Sequence, residues 1–495
     1  MGLFKKVILF MSFCIMMTGT NLAADYYPSD SWRMSTPEEQ GVDSEKLYQM
    51  LSYVKEQNIN LHSILVIRNG YLIHETYFHP YHRDNAQNIH SCTKSFTSAL
   101  LGIALNEGKI NNLDQKVMEF FPEKKIVNPD PRLEQLSIKH LLTMATGMDW
   151  EDKSRWYQMR RSKDWVETIL NTPFKEEPGL VFTYNSGASH LLSAIIQQST
   201  GMTTLDYAQE HLFKPLNMQV YWGKDPGGIT NGAAGLFLKP TDLAKFGFLF
   251  LNKGKWDGKQ IVPGDWVESS TQKHLAVFPY LTGYGYQWWI NSFGGYSARG
   301  WGGQYIVVLP KQNMVVVVTS GEDFRLKDLI EPFILPAVKQ EQPLVPNPQM
   351  EDQIKQLSDF LEHPEQLPIK TLPQFAELIS GKVFVCEPNI WGIRTFTLNF
   401  KKGPECEVKV ELGKETISCF IGMDGIYRYN KINGNNVTAC RGSWRSDQTL
   451  VLDWQEMSQT ELFRFIIIFS DNQINVVGQG SVEKSIRSFQ GKLIE

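Results

Sequence analysis

A serine and a lysine three residues apart, Ser91 and Lys94, stand just before an apolar run at residues 96–105. On a helix this spacing brings the lysine amine and the serine hydroxyl to the same side. A serine at a helix N-terminus lies beside unpaired backbone N–H groups, which can stabilise an oxyanion. A lysine in a desolvated pocket loses proton affinity and can act as a base. The pair therefore suggests a nucleophile and its base, although a helix cap followed by a surface lysine would show the same spacing.

The context of the pair decides between these readings. The same spacing also occurs at Ser52, Ser270 and Ser481. Only Ser91 stands at the start of a strongly apolar segment, where a lysine one turn further on would point along a buried face. The sequence therefore favours Ser91 and Lys94 as the reactive pair.

Several elements must position this pair. Asn69-Gly70 between two β-rich segments predicts a hairpin of strands at 63–68 and 71–77. The apolar segment 96–105 predicts a buried helix that stops near Gly108. Further helices are predicted at 191–198 and 241–251, the second capped by Thr241, and strands at 305–309 and 314–320.

The last third of the chain has a different composition. Prolines punctuate residues 339–380, which predicts a linker with one short helix. From residue 381 to 495, short alternating segments recur about every ten residues between turns such as Asp424-Gly425 and Asn433-Gly434. This pattern predicts a separate, small antiparallel β sandwich or barrel.

The N-terminus has the pattern of a targeting segment. Lys5 and Lys6 precede an apolar run at 7–17 that is too short to span a bilayer, and Leu22-Ala23-Ala24 resembles a cleavage site. An uncleaved anchor is the alternative. We predict a signal peptide at residues 1–24 and a periplasmic or secreted mature protein with no membrane span.

Composition bounds the remaining function classes. The chain has 495 residues, 42% of them hydrophobic and 21% charged, as expected of a soluble globular protein. A net charge of -4 gives no electrostatic reason to expect nucleic acid as a partner. Four cysteines in the last quarter allow two disulfides in an oxidising compartment, or free buried thiols; these are Cys386, Cys406, Cys419 and Cys440.

Ser91 opens the first of six short segments, which read SCTKSF at 91–96, HLLTMATG at 140–147, FTYNSG at 182–187, FKPL at 213–216, TDLAKF at 241–246 and YGYQWW at 284–289. In this order they resemble the serine β-lactamase and penicillin-binding-protein superfamily, specifically the class C-related, CubicO-type hydrolases. The resemblance covers residues 32 to 338. It implies an α+β catalytic domain at 25–338, with an antiparallel sheet flanked by helices and a helical subdomain.

The resemblance also implies roles for residues. Ser91 matches the acylated nucleophile and Lys94 its partner, while Tyr184 matches a tyrosine that accepts or relays the proton as a phenolate. Nearby positive charge would favour such a phenolate, and Lys94 could supply it.

Two departures from the family pattern concern the substrate. The second motif places Ser186 where an asparagine is usual, and its hydroxyl is a shorter hydrogen-bonding group for a substrate carbonyl. The third motif aligns either with Ala298-Arg299-Gly300 or with Trp301-Gly302-Gly303, without the usual leading lysine or histidine. Gly300 would let the substrate approach the strand, and the Trp301 N–H would complete an oxyanion hole with that of Ser91. Arg299 would meet a substrate carboxylate or a surface acid.

These departures argue against an efficient β-lactamase, because penicillins carry a carboxylate. Trp288, Trp289 and Trp301 suggest an apolar acyl or amine group, although core packing is the commoner use of tryptophan. We predict an exported serine hydrolase of small esters or amides. The alternatives are a D-alanyl carboxypeptidase or β-lactamase acting on cell-wall-like substrates, and a non-catalytic binding protein that keeps the fold.

The proposed chemistry needs only side chains and backbone groups, so no cofactor is expected. The sequence does not indicate the oligomeric state. His74, His79 and His82 cluster near the early hairpin, but they lack an acidic or cysteine partner at a metal-binding spacing, so no metal site is predicted. No family motif lies in the C-terminal segment. Acylation is therefore expected to be complete without it.

Overall fold

The computed structural model describes residues 26–494, except for 128, 278–281, 369–370, 401–402 and 433–435. The predicted signal peptide and the predicted turn at Asn433-Gly434 lie outside the described residues.

The helices are short to medium in length and concentrate in the first two thirds of the described chain. Their bounds are α1 (Ser44–Glu56), α2 (Thr93–Asn106), α3 (Ile138–Leu142), α4 (Asp152–Arg161), α5 (Trp165–Leu170), α6 (Ser186–Thr200), α7 (Thr204–Ala208), α8 (Pro240–Leu251), α9 (Gly264–Ser270), α10 (Lys327–Leu329), α11 (Leu335–Ala337), α12 (Pro348–Glu362) and α13 (Gln374–Ile379).

The strands fall into two groups. In the first two thirds of the chain they are β1 (Leu61–Arg68), β2 (Tyr71–Tyr77), β3 (Gln87–Asn88), β4 (Tyr221–Trp222), β5 (Leu236–Leu238), β6 (Lys255–Trp256), β7 (Lys259–Gln260), β8 (Leu275–Val277), β9 (Thr282–Tyr284), β10 (Trp289–Ile290), β11 (Tyr296–Gly300), β12 (Gln304–Leu309) and β13 (Met314–Ser320). The second group is β14 (Val383–Cys386), β15 (Ile393–Phe400), β16 (Glu405–Leu412), β17 (Glu415–Gly422), β18 (Arg428–Ile432), β19 (Asn436–Ser446), β20 (Thr449–Glu456), β21 (Leu462–Ser470), β22 (Gln473–Gly480) and β23 (Ile486–Leu493).

An antiparallel sheet forms the centre of the first part. Within the described residues its eight strands run in the order β2-β1-β13-β12-β11-β10-β9-β8. Strand β1 is buried along its whole length because both faces of the sheet are covered. Leu65 and Ile67 pack in the cluster that includes α2, α6 and α8, while Ile64 and Val66 pack with α1 on the opposite face. The predicted α+β architecture is confirmed.

The hairpin between β1 and β2 is the one that the sequence predicted. Asn69 and Gly70 both have positive φ, 52° and 82°, as a two-residue turn between antiparallel strands requires. The helix predicted at 96–105 is α2, every residue of which from Thr93 to Ala104 is buried. The predicted cap of α8 is wrong: Lys239 occupies the N-cap without a side-chain bond, and Pro240 takes the first turn.

The C-terminal strands form a barrel, which resolves the predicted choice between a sandwich and a barrel. Strands β14 to β17 and β19 to β23 form a ring of nine among the described residues. Strand β18 pairs with β19 along the same edge that meets β17. Gly422 of β17 pairs with Arg441 of β19 and closes the ring. The inward faces, including Phe384, Leu398, Leu450 and Ile474, form the barrel core.

The segment predicted as a linker with one short helix contains two helices, α12 and α13. Helix α12 packs against α1, and its Ile354 joins the cluster beneath the central sheet. The barrel also contacts the first part directly: Tyr429 donates its hydroxyl to the Pro80 carbonyl at 2.7 Å.

The cysteines of the described residues are free thiols. Of the two predicted alternatives, disulfides or free thiols, the structure therefore has free thiols. Cys419 and Cys440 lie side by side, joined by a side-chain hydrogen bond. No helix in the described part of the chain is both long and apolar enough for a membrane crossing.

Candidate active site

Ser91 lies in a 3-10 turn, His90–Cys92, that leads directly into α2. The backbone of His90 is left-handed, with φ of 46°, and its N–H donates to Asn88 Oδ1 at 3.0 Å. A left-handed conformation at a non-glycine residue is uncommon and marks a sharp, constrained change of direction. The half-buried Ser91 is held at this bend.

Lys94 points inward, as the sequence predicted. Its side chain is 2% exposed, and its Nζ donates to Ser91 Oγ and to the Ala233 carbonyl oxygen, each at 2.9 Å. Burial lowers the pKa of the Lys94 amine to about 8. A substantial neutral fraction is therefore present near pH 8, and only the neutral amine can accept a proton from Ser91.

Tyr184 lies immediately before α6, next to Ser91. Its hydroxyl hydrogen-bonds the Ser91 side chain, and its ring centre is 5.0 Å from Lys94 Nζ. Burial, reinforced by the negative charge of Asp152, raises the pKa of the Tyr184 hydroxyl far above its usual value. The neutral phenol is therefore favoured here, in contrast to the phenolate that the family resemblance implies.

Asp152, at the first position of α4, is the acceptor for several donors at the pocket wall. Its carboxylate accepts from Trp150 Nε1 at 2.7 Å, from the Ser186 N–H at 2.8 Å and from Ser186 Oγ at 3.0 Å. The Ser186 hydroxyl thus already donates to Asp152. The prediction that it offers this hydrogen to a substrate carbonyl does not match the geometry.

Gly300 ends β11, but its role differs from the predicted one. A Cβ at this position would lie 2.4 Å from the Ile89 carbonyl oxygen. The glycine therefore lets β11 approach the segment just before Ser91, rather than leaving room for substrate.

Arg299 contacts neighbouring polar side chains of the sheet rather than a surface acid. Its Nε donates to Ser297 Oγ at 3.0 Å and its Nη2 to Asn291 Oδ1 at 2.8 Å. Its guanidinium also lies 5.2 Å from the ring centre of Trp289. These contacts hold Arg299 in the sheet, outside the set of described residues that line the cavity at Ser91.

The three tryptophans divide between packing and the cavity. Trp288 is fully buried among aromatic rings, including Phe250, and Trp289 stacks on Tyr184. Only Trp301, which is 39% exposed, lines the cavity, where its ring contacts that of His90. Of the two alignments of the third motif, Trp301-Gly302-Gly303 is the one that reaches the cavity.

A cavity of about 630 Å³ opens above Ser91 and carries charges of both signs. Lys153 and Arg160 of α4 line one side. The barrel supplies another side through Glu461, Val482 and Glu483, and Lys153 Nζ is 3.1 Å from a carboxylate oxygen of Glu483. Burial raises the pKa of Glu461.

Thr460 connects the barrel to the residue next to Ser91. Its Oγ1 is 2.8 Å from His90 Nε2, and the residue is 1% exposed. Burial, with a smaller effect of Lys94, lowers the pKa of His90 to about 4, so the imidazole is neutral at pH 7. The Thr460 methyl group packs against Gly302, where a Cβ would lie only 2.2 Å from it.

Sequence reasoning found Ser91, Lys94 and Tyr184, and the structure brings them together. It missed Asp152, the α4 cations and the barrel residues. Asp152 looks like an ordinary first-turn acid, and Thr460 is 370 positions from His90. The MDWED stretch at 148–152 directly follows the HLLTMATG motif and was the available signal for Asp152.

The three histidines considered for a metal have other contacts. His74 Nε2 lies 3.1 Å from Thr76 Oγ1, and His79 Nε2 accepts from the Tyr427 N–H at 3.3 Å. His82 Nδ1 accepts from the Asp84 N–H at 3.4 Å. The described residues contain no group of three or more His, Cys, Asp or Glu side chains placed to hold a metal ion.

The arrangement suits transfer of an acyl group. A hydroxyl lies within hydrogen-bond distance of an amine with a lowered pKa and of a protonated phenol, which is the pattern of a nucleophile, a base and an acid. The open cavity above the hydroxyl gives a carbonyl compound access to it.

Comparison with known proteins gives a consistent result. The model of the family described as Beta-lactamase matches residues 52–331, more than half of the chain. A 6-aminohexanoate-dimer hydrolase of Paenarthrobacter ureafaciens is 25% identical over 285 residues, which span 52% of this chain and 72% of the relative. A candidate D-alanyl-D-alanine carboxypeptidase of Escherichia coli (strain K12) is 21% identical over 411 residues, 64% of this chain and 91% of that protein.

A solved structure shares the fold. It is described as a candidate 6-aminohexanoate-dimer hydrolase from Bacillus anthracis and aligns with a TM-score of 0.50 at 22% identity. The alignment covers 69% of this chain and 91% of the other.

Proposed function

The chain belongs to the beta-lactamase family, and from that premise we propose that it is a serine hydrolase that cleaves small ester or amide bonds through an acyl-enzyme on Ser91. The observation that carries this proposal is the 2.9 Å contact between Lys94 Nζ and Ser91 Oγ in surroundings that lower the pKa of the lysine to about 8. We also propose export to the periplasm or the medium, because residues 1–24 have the pattern of a signal peptide.

In the acylation step, Ser91 Oγ attacks the carbonyl carbon of the substrate while its proton passes to the neutral amine of Lys94. The carbonyl oxygen becomes an oxyanion, for which we propose the backbone N–H groups of Ser91 and Trp301 as donors. Collapse of this intermediate breaks the bond to the leaving alcohol or amine. Tyr184 gives that group a proton and is reprotonated by the Lys94 ammonium.

Deacylation reverses these roles with water. Neutral Lys94 accepts a proton from a water molecule, whose oxygen attacks the acyl carbon. The bond to Ser91 Oγ then breaks, and the Lys94 ammonium returns the proton to Ser91 as the acid is released. Asp152 does not take part in the proton transfers; it fixes the Ser186 end of α6 next to Tyr184.

The cavity charges support small zwitterionic amides among the substrates. Arg160 is suited to a carboxylate, and Glu461 to an ammonium group. The Paenarthrobacter relative is named for a dimer of 6-aminohexanoate, and a linear dimer of this amino acid has one group of each kind.

Intact-mass spectrometry tests the acyl-enzyme. The wild type is mixed with p-nitrophenyl acetate, an amide donor and a fluorophosphonate, and we expect one covalent adduct per chain. The variant Ser91→Ala should form none, whereas Ser52→Ala, which alters a second Ser-x-x-Lys match on α1, should react as the wild type does. Full labelling of Ser91→Ala would refute the assignment.

A second candidate function is a D-alanyl carboxypeptidase. Arg160 in the cavity favours it, since such substrates end in a carboxylate. The same measurement with a D-alanyl-D-alanine peptide and with a penicillin separates the two functions. An adduct with the peptide or the penicillin, and none with the neutral ester, favours the second candidate.

A further inference from the structure

The nine-stranded ring encloses a second cavity, of about 270 Å³, that is separate from the one above Ser91. Its lining comes from the inward positions of the alternating strands β15 to β17 and β20 to β23, together with Trp391 from the loop before β15. A ring of eight or nine strands is just wide enough to hold either its own side chains or one small ligand.

The chemistry of the lining is uniform. Each residue that lines this cavity is aliphatic or aromatic, and they include Val410, Ile417, Trp454 and Phe465. A lining without any charged or hydroxyl group recognises hydrocarbon and offers nothing to bind a sugar, a nucleotide or a metal ion. The volume is close to the low end, roughly 300 Å³, of the usual range for small-molecule sites.

One end of the cavity is open. Leu412, at the end of β16, and Ile417, at the start of β17, are only half-buried, as are Trp391 and Phe463. The deeper residues Leu452 and Ile467 are almost fully buried. A linear molecule could therefore place its hydrocarbon chain inside and keep a polar end in water.

The open end faces the same way as the loops that reach Ser91. In an antiparallel ring, alternate loops lie at one end, so the loops before β15, β17, β21 and β23 share that end. The loop before β21 carries Glu461, and the loop before β23 carries Val482 and Glu483; all three line the cavity above Ser91. Phe463, in the barrel cavity, is two residues beyond Glu461.

We propose that the barrel is a binding site for an unbranched hydrocarbon chain of medium length, such as an acyl or alkyl group, which enters at the end that faces the Ser91 cavity. Binding requires no chemistry at Ser91, so the binding site can be tested independently of the proposed hydrolase function.

Isothermal titration of the full chain with decanoate tests the site. We expect saturable binding of one decanoate per chain with a negative heat-capacity change, which marks burial of apolar surface. Ser91→Ala should bind as the wild type does. A titration that shows no saturable binding would overturn the proposal.

Two variants locate the site. Ile417→Trp places a larger ring in the cavity and should weaken binding by at least about tenfold, because the space is taken. The matched control is Ile468→Trp on the outer face of β21, where Ile468 is 41% exposed; it should bind normally. Val410→Phe is a milder filling variant, and circular dichroism confirms folding of each. Filled, folded variants that bind like the wild type would contradict the proposal.

A further measurement needs no variant. A diazirine analogue of decanoate should label peptides from the strands that line the cavity, β15 to β17 or β20 to β23, after irradiation. Labelling confined to peptides outside these strands would refute the site. Kinetics then separate two sources of the chain. If decanoate inhibits only hydrolysis of a decanoyl ester, the site takes part of a substrate; if it changes hydrolysis of an acetyl ester, the site takes a free effector.

Discussion

At the scale of single residues, the buried amine of Lys94 sets the pH dependence. Only the neutral amine can accept the Ser91 proton, so kcat/KM for a neutral ester should rise with pH and level off above about 8. The variant Lys94→Arg, whose guanidinium stays protonated, should lose at least about a hundredfold in kcat. A pH–rate profile on both proteins measures this, and a wild-type profile that is flat from about pH 6 to 9 would remove Lys94 from the role of base.

Tyr184 makes a separate prediction, because its raised pKa suits it to protonate a leaving group. Tyr184→Phe should lower kcat by about a hundredfold for an ethyl ester or an amide, but much less for a p-nitrophenyl ester, whose leaving group needs no proton. Tyr284→Phe, a change in the same aromatic cluster, is the control. Equal losses on the two kinds of ester would exclude Tyr184 as the acid.

The sequence could identify Ser91 and Lys94 because their spacing puts both side chains on one side at the start of α2. Tyr184 could be identified because it lies in a second motif, just before α6. It could not show that the Ser186 hydroxyl is engaged by Asp152, or that Arg299 is held by Ser297 and Asn291. These hydrogen bonds depend on which acceptors the folded chain places within reach of Ser186 and Arg299, and the residue types alone do not specify that.

At the scale of elements, the loop between β20 and β21 positions the turn that holds Ser91. Thr460→Val removes the hydrogen bond to His90 but keeps the packing on Gly302. A neutral hydrogen bond contributes about 1 kcal/mol, so we expect kcat to fall by roughly fivefold to tenfold with little change in KM. Steady-state kinetics of Thr460→Val measure this effect.

Thr460→Ser restores the hydroxyl and provides the check. If the loss of the hydrogen bond is the cause, the serine variant should recover most of the lost kcat. A valine variant with wild-type kcat, or a serine variant that is equally slow, would leave Thr460 with a packing role alone.

Elements whose signals are local were predicted well: the Asn69-Gly70 hairpin, the buried helix α2 and the strands β12 and β13 all lie where periodicity and turn residues indicate. The start of α8 was misassigned because Thr241 has the residue type of a cap, while Pro240 already fixes the first helical turn. The barrel could be anticipated from alternation, but its contact with His90 could not, since no local pattern encodes a neighbour 370 positions away.

At the scale of the whole molecule, two shortened chains separate the contribution of α12 from that of the barrel. A chain that ends after Gln340 loses α12 and exposes the α1 face that Ile354 covers, whereas one that ends after His363 keeps it. Burial of one isoleucine side chain is worth roughly 1.5–3 kcal/mol, so the longer chain should have the higher Tm. Thermal unfolding of the two proteins tests this, and equal Tm values would contradict it.

Both shortened chains should still acylate Ser91, because its contacts to Lys94 and Tyr184 come from residues before 338. They should do so more slowly than the full chain, since the cavity loses Glu461, Val482 and Glu483 as a wall. Intact mass after timed mixing with p-nitrophenyl acetate gives the rates. A shortened chain that folds and acylates as fast as the full chain would show that the barrel has no part in the step.

The hydrogen bond between Thr460 and His90 also has a consequence for the order in which the site is completed during synthesis. Ribosomes add roughly 5–20 residues per second, so the 370 positions between the two residues correspond to an interval on the order of half a minute. Throughout that interval the nascent chain carries its serine without the support of the barrel. The His90 side chain next to Ser91 therefore gains this partner only after Ser91, Lys94 and Tyr184 have all been synthesised.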